Sequence, residues 1–507
     1  MPIFNKPAGL ILLALLLLQY SNLHAYIFVV DQNGSGPYLE IQPAIDMAWP
    51  GDTVLVYPGT YYENLHVEKD LFLTSPEYIS GDSSYIYQTI IDGQNLASAL
   101  WVYGCTLKLR GLSIQNGNAE YGGGIYINEA NVDITNCIVQ NNRSSHSGGG
   151  IKCSHSEIKL SGSTLRNNLS SMGGGLYCRY STFRMDSLNK CNIYLNHSHK
   201  YGIGCDILLV YIENEIEIFV DTLSVQNPDQ YFIDVMRDTL NHEDVHIGHG
   251  MIEQVSHDLY ISPLGNNNNT GLSPEEPLKN FWYANAKMLA DSAVYNIYVK
   301  EGIFSPSANA ERFPVALREN IRIKGSGKNT SIFEGDSMTY LFDAYGLDTL
   351  IVENLGIRNC IGAMIIGECK KIHLNNLSFK HSYSDDIFTY ALQVYGIEDG
   401  LIENSDFIEN YDQSALHIGL ASIDSIATRA IVQNCRFIKN RLKSDNDDLS
   451  GALYAFTIEG GHPDKSIQII SCEFSENQNK YWGPAIRALG IENLYLINCT
   501  LANNETL

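Results

Sequence analysis

Three near-identical stretches decide the fold of this 507-residue chain: Gly122-Gly-Gly-Ile-Tyr-Ile127, Gly148-Gly-Gly-Ile-Lys-Cys153 and Gly173-Gly-Gly-Leu-Tyr-Cys178. They start 26 and 25 residues apart, and a fainter copy begins at Gly202. A second element lies between them, as in Asn136-Cys-Ile-Val-Gln-Asn-Asn142. Self-similarity at a period of this length is the signature of a repeat architecture, in which each unit packs only on its neighbours.

The second element continues through the other half of the chain, where the triple glycines are missing. Its copies are Asn404-Ser-Asp-Phe-Ile-Glu-Asn410, Asn434-Cys-Arg-Phe-Ile-Lys-Asn440, Ser471-Cys-Glu-Phe-Ser-Glu-Asn477 and Asn498-Cys-Thr-Leu-Ala-Asn-Asn504, with weaker copies at Asn354 and Asn376. The starts from Asn354 to Asn498 are 22, 28, 30, 37 and 27 residues apart. This variation indicates coils of constant core joined by loops of variable length.

Each unit contains short alternating strands, such as Val132-Asp-Ile-Thr135, separated by glycines and asparagines that permit positive φ. One coil cannot bury its own apolar face, so coils stack and align like residues into ladders. A leucine-rich repeat, the main competitor, needs a closely spaced leucine pattern and a near-constant period. The sequence therefore predicts an all-β protein made of right-handed parallel β-helices.

Two similar cap segments predict two tandem helices. In each, a strand precedes a short apolar helix that covers the edge of the first coil. The first is residues 26–63, with a helix from Ile41 to Trp49, and the second is residues 258–302, with a helix from Phe281 to Ala290. We expect residues 26–240 to form the first β-helix, 241–257 a linker, and 258–507 the second. Because the chain stops directly after a coil strand, the second β-helix is expected to be truncated at its C-terminal end.

Residues 1–25 are typical of a signal peptide, with Lys6 before an apolar run from Ala8 to Leu18 and Ala25 as the cleavage residue. An N-terminal membrane anchor is the alternative, although the run is short for a span. We expect an extracellular or cell-surface protein without a membrane span in the mature chain. The formal charge of −24 repels phosphate backbones, which excludes nucleic acid as a partner.

Eleven cysteines in an exported chain first suggest disulfides. Five of them occupy one repeat position, however: Cys137, Cys191, Cys435, Cys472 and Cys499. Leucine fills this position in other coils, so the sequence favours buried thiols in the core over disulfides or a metal.

The chain resembles the pectin-lyase-like superfamily of right-handed parallel β-helix proteins, and within it the secreted or surface-attached repeat proteins of bacteria. The resemblance is carried by the cap segments, notably Trp49-Pro-Gly-Asp-Thr-Val-Leu-Val-Tyr-Pro-Gly-Thr-Tyr61, and by the asparagine and cysteine coils. The Phe-x-x-Asn element, as in Phe407/Asn410, also resembles adhesin-like outer-membrane proteins. This superfamily includes lyases, hydrolases, esterases and adhesins, so the resemblance implies a fold rather than an activity.

Polygalacturonase-type hydrolysis is the sharpest enzyme hypothesis that this resemblance implies. Gly248-His249-Gly250 and Arg322-Ile323-Lys324 match two of its short motifs. His249 is expected in the linker, however, and Arg322 and Lys324 alternate with isoleucines on a strand and so point outward. The close carboxylate pair Asp385-Asp386 follows both motifs, whereas that family places its carboxylates before them.

For esterase chemistry and for metal binding, the sequence contains only short, isolated matches. Gly59-Thr-Tyr-Tyr-Glu63 matches one short esterase motif but is expected to be an ordinary turn. Asp445-Asn-Asp-Asp448 is a compact acidic loop that lacks the bidentate glutamate of a calcium hand. Four histidines with metal-ligand chemistry cluster in the expected linker: His242, His246, His249 and His257. A polar linker is favoured over a metal site there.

The sequence assigns no catalytic and no cofactor-binding residue, leaves metal ligands unknown, and leaves Ca²⁺ as the one ion that its acidic loops could bind. Thirty-one tyrosines suggest sugar contacts, although tyrosine also simply fits a pleated surface. The favoured interpretation is a non-enzymatic adhesion or glycan-binding scaffold whose partner is an extracellular polysaccharide or a cell-surface glycan. The alternative is a carbohydrate-active enzyme, a polysaccharide lyase rather than a glycoside hydrolase.

Overall fold

The computed structural model of the protein describes residues 25–198, 204–236, 244–289, 293–337, 340–383, 390–411, 414–420, 428–442, 452–457, 465–480, 483–491 and 493–506. Over these residues the chain winds into coils of short strands, and each strand pairs in parallel with its counterpart in the next coil. The predicted all-β parallel solenoid is confirmed. Among the described residues, no helix is both long and apolar enough to cross a membrane.

The first stack of coils has three long sheets and one short one. Sheet 1 contains Ile27–Val30, Asp52–Val56, Leu71–Thr74, Thr106–Arg110, Asn131–Thr135 and Glu157–Ser161. Sheet 2 contains Gly59–Tyr61, Thr89–Asp92, Ser113–Gln115, Ile138–Gln140, Thr164–Arg166, Cys191–Tyr194, Ile218–Val225 and Val245–Ile252. Sheet 3 contains Leu65–Val67, Leu100–Tyr103, Ile125–Asn128, Ile151–Ser154, Ile207–Ile212 and Ile233–Met236, and the strand Leu176–Met185 joins sheets 1 and 3. Sheet 4 contains Asn118–Tyr121, Arg143–Ser147, Leu169–Ser170 and His197–Ser198.

The second stack repeats this arrangement. Its sheet 1 contains Leu259–Ile261, Tyr295–Val299, Ile321–Gly325, Thr349–Glu353, Lys371–Asn375, Asp399–Glu403, Arg429–Gln433, Ser466–Ile470 and Asn493–Ile497. Its sheet 2 contains Gly302–Phe304, Ser331–Glu334, Gly356–Arg358, Ser378–Lys380, Asp406–Ile408, Arg436–Ile438, Glu473–Ser475 and Thr500–Ala502. Its sheet 3 contains Val315–Ala316, Phe342–Tyr345, Met364–Gly367, Leu392–Ile397, Leu416–Leu420, Leu453–Thr457 and Ile486–Leu489, and its short sheet 4 contains Arg441–Leu442, Gln478–Asn479 and Glu505–Thr506.

A cap helix begins each stack, as the two cap segments predict. The helices are Ile41–Met47 and Phe281–Lys287, and three shorter ones are Glu77–Ser80, Ser84–Gln88 and Pro306–Asn309. Ile41, Ala44 and Ile45 are buried on the first coil. In each cap, a glutamate from a later turn accepts hydrogen bonds from the first two backbone N–H groups of the helix. Glu63 does so for Ile41 and Gln42 at 2.7 and 2.9 Å, and Glu311 for Phe281 and Trp282 at 2.9 and 3.0 Å.

Alternate residues of most strands in sheets 1, 2 and 3 point inward and form ladders along the stack. Phe379, Phe407, Phe437 and Phe474 stack in register with ring centroids 5.0, 4.7 and 4.6 Å apart. The cysteines belong to the same core: all eleven are free, and ten are buried. The sequence interpretation of the cysteines as core residues is therefore confirmed.

The triple glycines lie where the chain passes from sheet 4 to sheet 3. Gly122 has a φ of +58°, which favours glycine. A Cβ on Gly123 would approach the carbonyl oxygen of Arg143 in the next coil to 2.2 Å. The glycines therefore allow neighbouring coils to approach closely at this corner, and the repeat needs them.

The first stack extends further than the sequence indicates. Val245–Ile252, within the segment 241–257 interpreted as a linker, is a strand in parallel register with Ile218–Val225. The sequence does not predict this strand, because its histidines and glycines break the apolar alternation typical of a strand. A strand at the end of a stack pairs on one side only and can therefore be more polar. Two residues from the start of the second stack, Ala286 and Ala316, pack into the core of the first stack.

Candidate functional site

An aromatic surface covers the outward face of sheet 3 of the first stack. His66, Trp101, Tyr126, Lys152 and Tyr177 occupy one row, each in register with the next; we call this set the aromatic row. The residues on either side of each member along its strand are buried apolar core residues, such as Ile151 and Cys153 around Lys152. The pleat therefore turns all five side chains away from the core. Tyr177 is nevertheless only 7% exposed, because it packs with Leu208 and Val210.

The rings of this surface contact one another along and across the coils. His66 lies 5.2 Å from Trp101, and Trp101 stacks on Tyr103 at 5.5 Å with an interplanar angle of 14°. Tyr103 is 38% exposed, so its ring remains open to solvent. Tyr121, from sheet 4, contacts Tyr126 at 6.4 Å and widens the surface beyond one row. Trp101 and Tyr126 are half-buried, which leaves part of each ring accessible.

Lys152 lies among the tyrosines at the centre of this surface. Its Nζ is 3.5 Å from the ring centroid of Tyr121, 5.6 Å from that of Tyr126 and 5.8 Å from that of Tyr177. Burial lowers the pKa of Lys152 to about 8, and the nearby Arg179 adds to this shift. The ammonium is thus held by ring faces, and it loses its proton more readily than an exposed lysine does.

The two motifs of the hydrolase hypothesis lie in different stacks. His249 is on the strand Val245–Ile252 of the first stack, and its Nε2 is 3.1 Å from Thr222 Oγ1. Arg322 and Lys324 lie on Ile321–Gly325 of the second stack, where they alternate with inward-facing isoleucines as expected. Asp385-Asp386 lies outside the described residues.

The remaining sequence candidates have structural roles or lie in segments that the structure does not describe. Glu63 of the esterase-like fragment holds the first cap helix. His246 stacks on Phe219 at 4.7 Å, while His242 and the acidic loop Asp445–Asp448 lie outside the described residues. Among the residues that are described, no group of three or more histidine, cysteine, aspartate or glutamate side chains is arranged to hold a metal ion.

Comparison with known proteins identifies no relative of this chain. No protein-family model matches the chain, and no curated protein matches it either. What can be said about its function therefore depends on the geometry of its surfaces.

The repeat places the residues of the aromatic row in the sequence, but it does not indicate that they form a binding surface. Tyr126, Lys152 and Tyr177 are the fifth residues of the three glycine-led stretches, and Trp101 fills the same place one coil earlier. These positions appear unremarkable until the register is known, because the repeat fixes the glycines and apolar residues and leaves the outward position free.

Proposed function

We propose that the protein is a non-enzymatic scaffold that binds a glycan through the aromatic row of its first stack. The observation that carries this proposal is the pair of half-buried rings of Trp101 and Tyr126, in register with Lys152, beside the 38% exposed Tyr103. Aromatic rings present large, rigid apolar faces that fit the apolar faces of sugar rings, and the Lys152 ammonium can donate hydrogen bonds to hydroxyl or carboxylate oxygens. The spacing of about 4.8 Å between coils gives an extended ligand several contacts in line.

Binding of the full chain to a glycan array, followed by calorimetric titration of the best ligand, tests this proposal. We expect Trp101→Ala to weaken binding by about tenfold or more, because buried aromatic contacts dominate recognition surfaces. The matched control is Tyr260→Ala, which removes one ring of a stacked pair on the second stack, 4.9 Å from Tyr298. It should leave the affinity unchanged. Absence of binding to any glycan, or equal losses in both variants, would contradict the proposal.

A polysaccharide lyase is the second candidate, and the lowered pKa of Lys152 favours it. A lysine with a pKa of about 8 can act as a general base that removes the proton next to a uronate carboxyl group. Formation of unsaturated product on a panel of polyuronates, with and without Ca²⁺, would support a lyase if it were abolished in Lys152→Met. If no substrate gave an unsaturated product, the lyase would be rejected and the glycan-binding proposal would be retained.

Export and superfamily membership are further parts of the proposal. We infer from residues 1–25 that the chain is secreted or displayed on the cell surface, and fusion of this segment to a reporter enzyme should direct the reporter out of the cell.

The two cap segments support membership of the pectin-lyase-like superfamily, since each begins a stack with the same strand, helix and glutamate cap. A left-handed coil in an experimental structure would contradict that membership.

A further inference from the structure

A small pocket opens on the outward face of sheet 2 of the second stack, away from the aromatic row. Its floor is formed by Gly356 and Ser378, neighbours in register on adjacent strands, and Ile332 closes one side. Lys328, Arg358 and Lys380 form its walls. The cavity volume is about 90 Å³, well below that of sites for drug-sized ligands, so the pocket suits one chemical group rather than a whole oligosaccharide.

The floor combines a missing side chain with an unused donor. Gly356 leaves open the place that a side chain would fill, and a Cβ there would lie 2.6 Å from the carbonyl oxygen of Lys328. Ser378 is 2% exposed, and its hydroxyl has no hydrogen-bond partner among the described residues. A buried hydroxyl without a partner is unfavourable, so a ligand atom that accepts its hydrogen bond would be stabilised there.

The walls supply positive charge that is only partly balanced. Lys328 pairs with Asp406 at 3.0 Å, and Arg358 pairs with Glu334 at 2.9 Å. Lys380 has no ion pair among the described residues and is half-buried beside Arg358, with which it is in register. None of the residues that line the pocket is acidic.

The nearest carboxylate along the same row is already neutralised. Asp406 follows Ser378 in register on the next strand. It is buried and accepts charged hydrogen bonds from Arg436 at 2.8 Å as well as from Lys328 at 3.0 Å. Burial alone would raise the pKa of Asp406, but these partners lower it overall. The carboxylate therefore stays ionised and fixes the Lys328 ammonium at the pocket wall.

We propose that this pocket binds one oxyanion group, a sulfate or a carboxylate, through the Ser378 hydroxyl, the Lys380 ammonium and the Arg358 guanidinium. Hydrogen bonds between ionised partners are roughly twice as strong as neutral ones. Arg358 Nε and Nη2 both donate to Glu334, at 3.1 and 2.9 Å, so Nη1 is the part of the guanidinium that would donate to the anion. Because Lys328 and Arg358 are paired, the Lys380 ammonium supplies the charge that attracts the anion. The formal charge of −24 on the whole chain disfavours a long anionic polymer. The site lies on the other stack, so it stands even if the aromatic row binds no glycan.

Calorimetric titration of the full chain with inorganic sulfate, at constant ionic strength set with chloride, tests the pocket. We expect saturable binding of one sulfate per chain. Lys380→Gln should weaken it by about tenfold or more, and Ser378→Ala by several-fold without loss of folding, since each removes one donor. The matched control is Lys371→Gln, which removes the same charge from an exposed position on the same coil. It should change the affinity by less than about twofold, because exposed charges act weakly at a distance.

Acetate, glucuronate and glucose 6-sulfate, titrated in the same way, identify the source of the group. Tighter binding of either sugar than of the corresponding free ion would indicate a group carried by a saccharide, and equal binding would indicate a free anion. Both results support the pocket. It would be overturned by the absence of saturable sulfate and acetate binding, or by a loss in Lys371→Gln as large as that in Lys380→Gln.

Discussion

The imidazole of His417 lies on the outward face of sheet 3 of the second stack, yet it is only 6% exposed. Its ring lies parallel to that of Tyr454 at 5.1 Å and 4.1 Å from that of Tyr390. Neither ring nitrogen has a hydrogen-bond partner among the described residues. Burial lowers the pKa of His417 to about 3, so the folded protein keeps this imidazole neutral.

We predict that His417→Phe makes the protein more tolerant of acid. Because the pKa is lower in the folded state, the wild-type contribution is complete above about pH 6.5 and is lost as the pH falls towards 3. At pH 5 the loss is about 2 kcal/mol. Urea denaturation at pH 7 and pH 5 should therefore show a smaller drop in the free energy of unfolding for the variant. An equal drop in both proteins would count against the buried neutral ring.

The core position of the cysteines predicts their reactivity. Burial raises the pKa of Cys137, Cys191 and Cys360 to about 12, so these thiols are neither accessible nor ionised in the folded protein. A thiol reagent such as Ellman's should modify at most Cys499, the half-buried cysteine, in the native chain, and all eleven thiols after denaturation. Several fast-reacting thiols before denaturation, or fewer than eleven after it, would show that the core assignment is wrong.

At the scale of elements, buried asparagines connect successive coils of the second stack. Asn440 is fully buried. Its Oδ1 accepts from Asn410 Nδ2 at 2.9 Å, and its Nδ2 donates to Phe407 O at 2.8 Å and to Asn477 Oδ1 at 3.0 Å. The other repeated asparagine, such as Asn434 with a φ of +52°, is exposed and turns the backbone instead. The two asparagines of one repeat therefore have different roles: one connects coils by hydrogen bonds, and the other allows the backbone to turn.

Substitutions at these two positions should separate the roles. Asn440→Ala leaves several buried groups unpaired and is expected to cost roughly 3 kcal/mol or more of unfolding free energy. Asn434→Gly keeps a residue that tolerates positive φ and should change stability by less than about 0.5 kcal/mol. Urea denaturation of the full chain measures both. A loss in Asn434→Gly as large as that in Asn440→Ala would contradict this division.

The repeats were enough to predict the coils, the caps and the buried cysteines, because the core of a solenoid recurs at each turn. They could not predict what depends on register or on distant contacts. Lys152 gains its environment from tyrosines on neighbouring coils and on sheet 4. Lys328 reaches Asn404 O, 76 residues away in sequence, at 2.9 Å. Outward positions vary freely from coil to coil, so the repeat gives their place but not which of them form a site.

At the scale of the whole molecule, the start of the second stack contacts the first stack through polar groups as well as apolar ones. Arg318, whose side chain is 4% exposed, pairs with Asp229 of the first stack at 2.7 Å. Arg312 donates to Leu195 O at 3.1 Å, and His197 Nε2 lies 2.6 Å from Pro314 O. The two stacks therefore meet at a packed junction rather than through a free linker.

Removal of Asp229 should weaken this junction. Asp229→Ala leaves Arg318 buried without its counter-ion, which we expect to cost roughly 2 kcal/mol because Asp229 itself is one-third exposed. The matched control, Asp399→Ala, breaks the exposed pair with Arg429 and should cost less than about 1 kcal/mol. Urea denaturation of both variants provides the comparison. Equal effects would show that the junction does not depend on the ion pair.

Hydroxyl-radical footprinting of the full chain with its best array ligand tests the central claim most directly, because it reports which side chains the ligand covers. We predict that oxidation of Trp101, Tyr103 and Tyr126 falls when the ligand is bound, whereas Tyr260 and Tyr495 of the second stack stay equally reactive. Unchanged oxidation of the first three with ligand bound, or protection confined to the second stack, would contradict a glycan-binding role for the aromatic row.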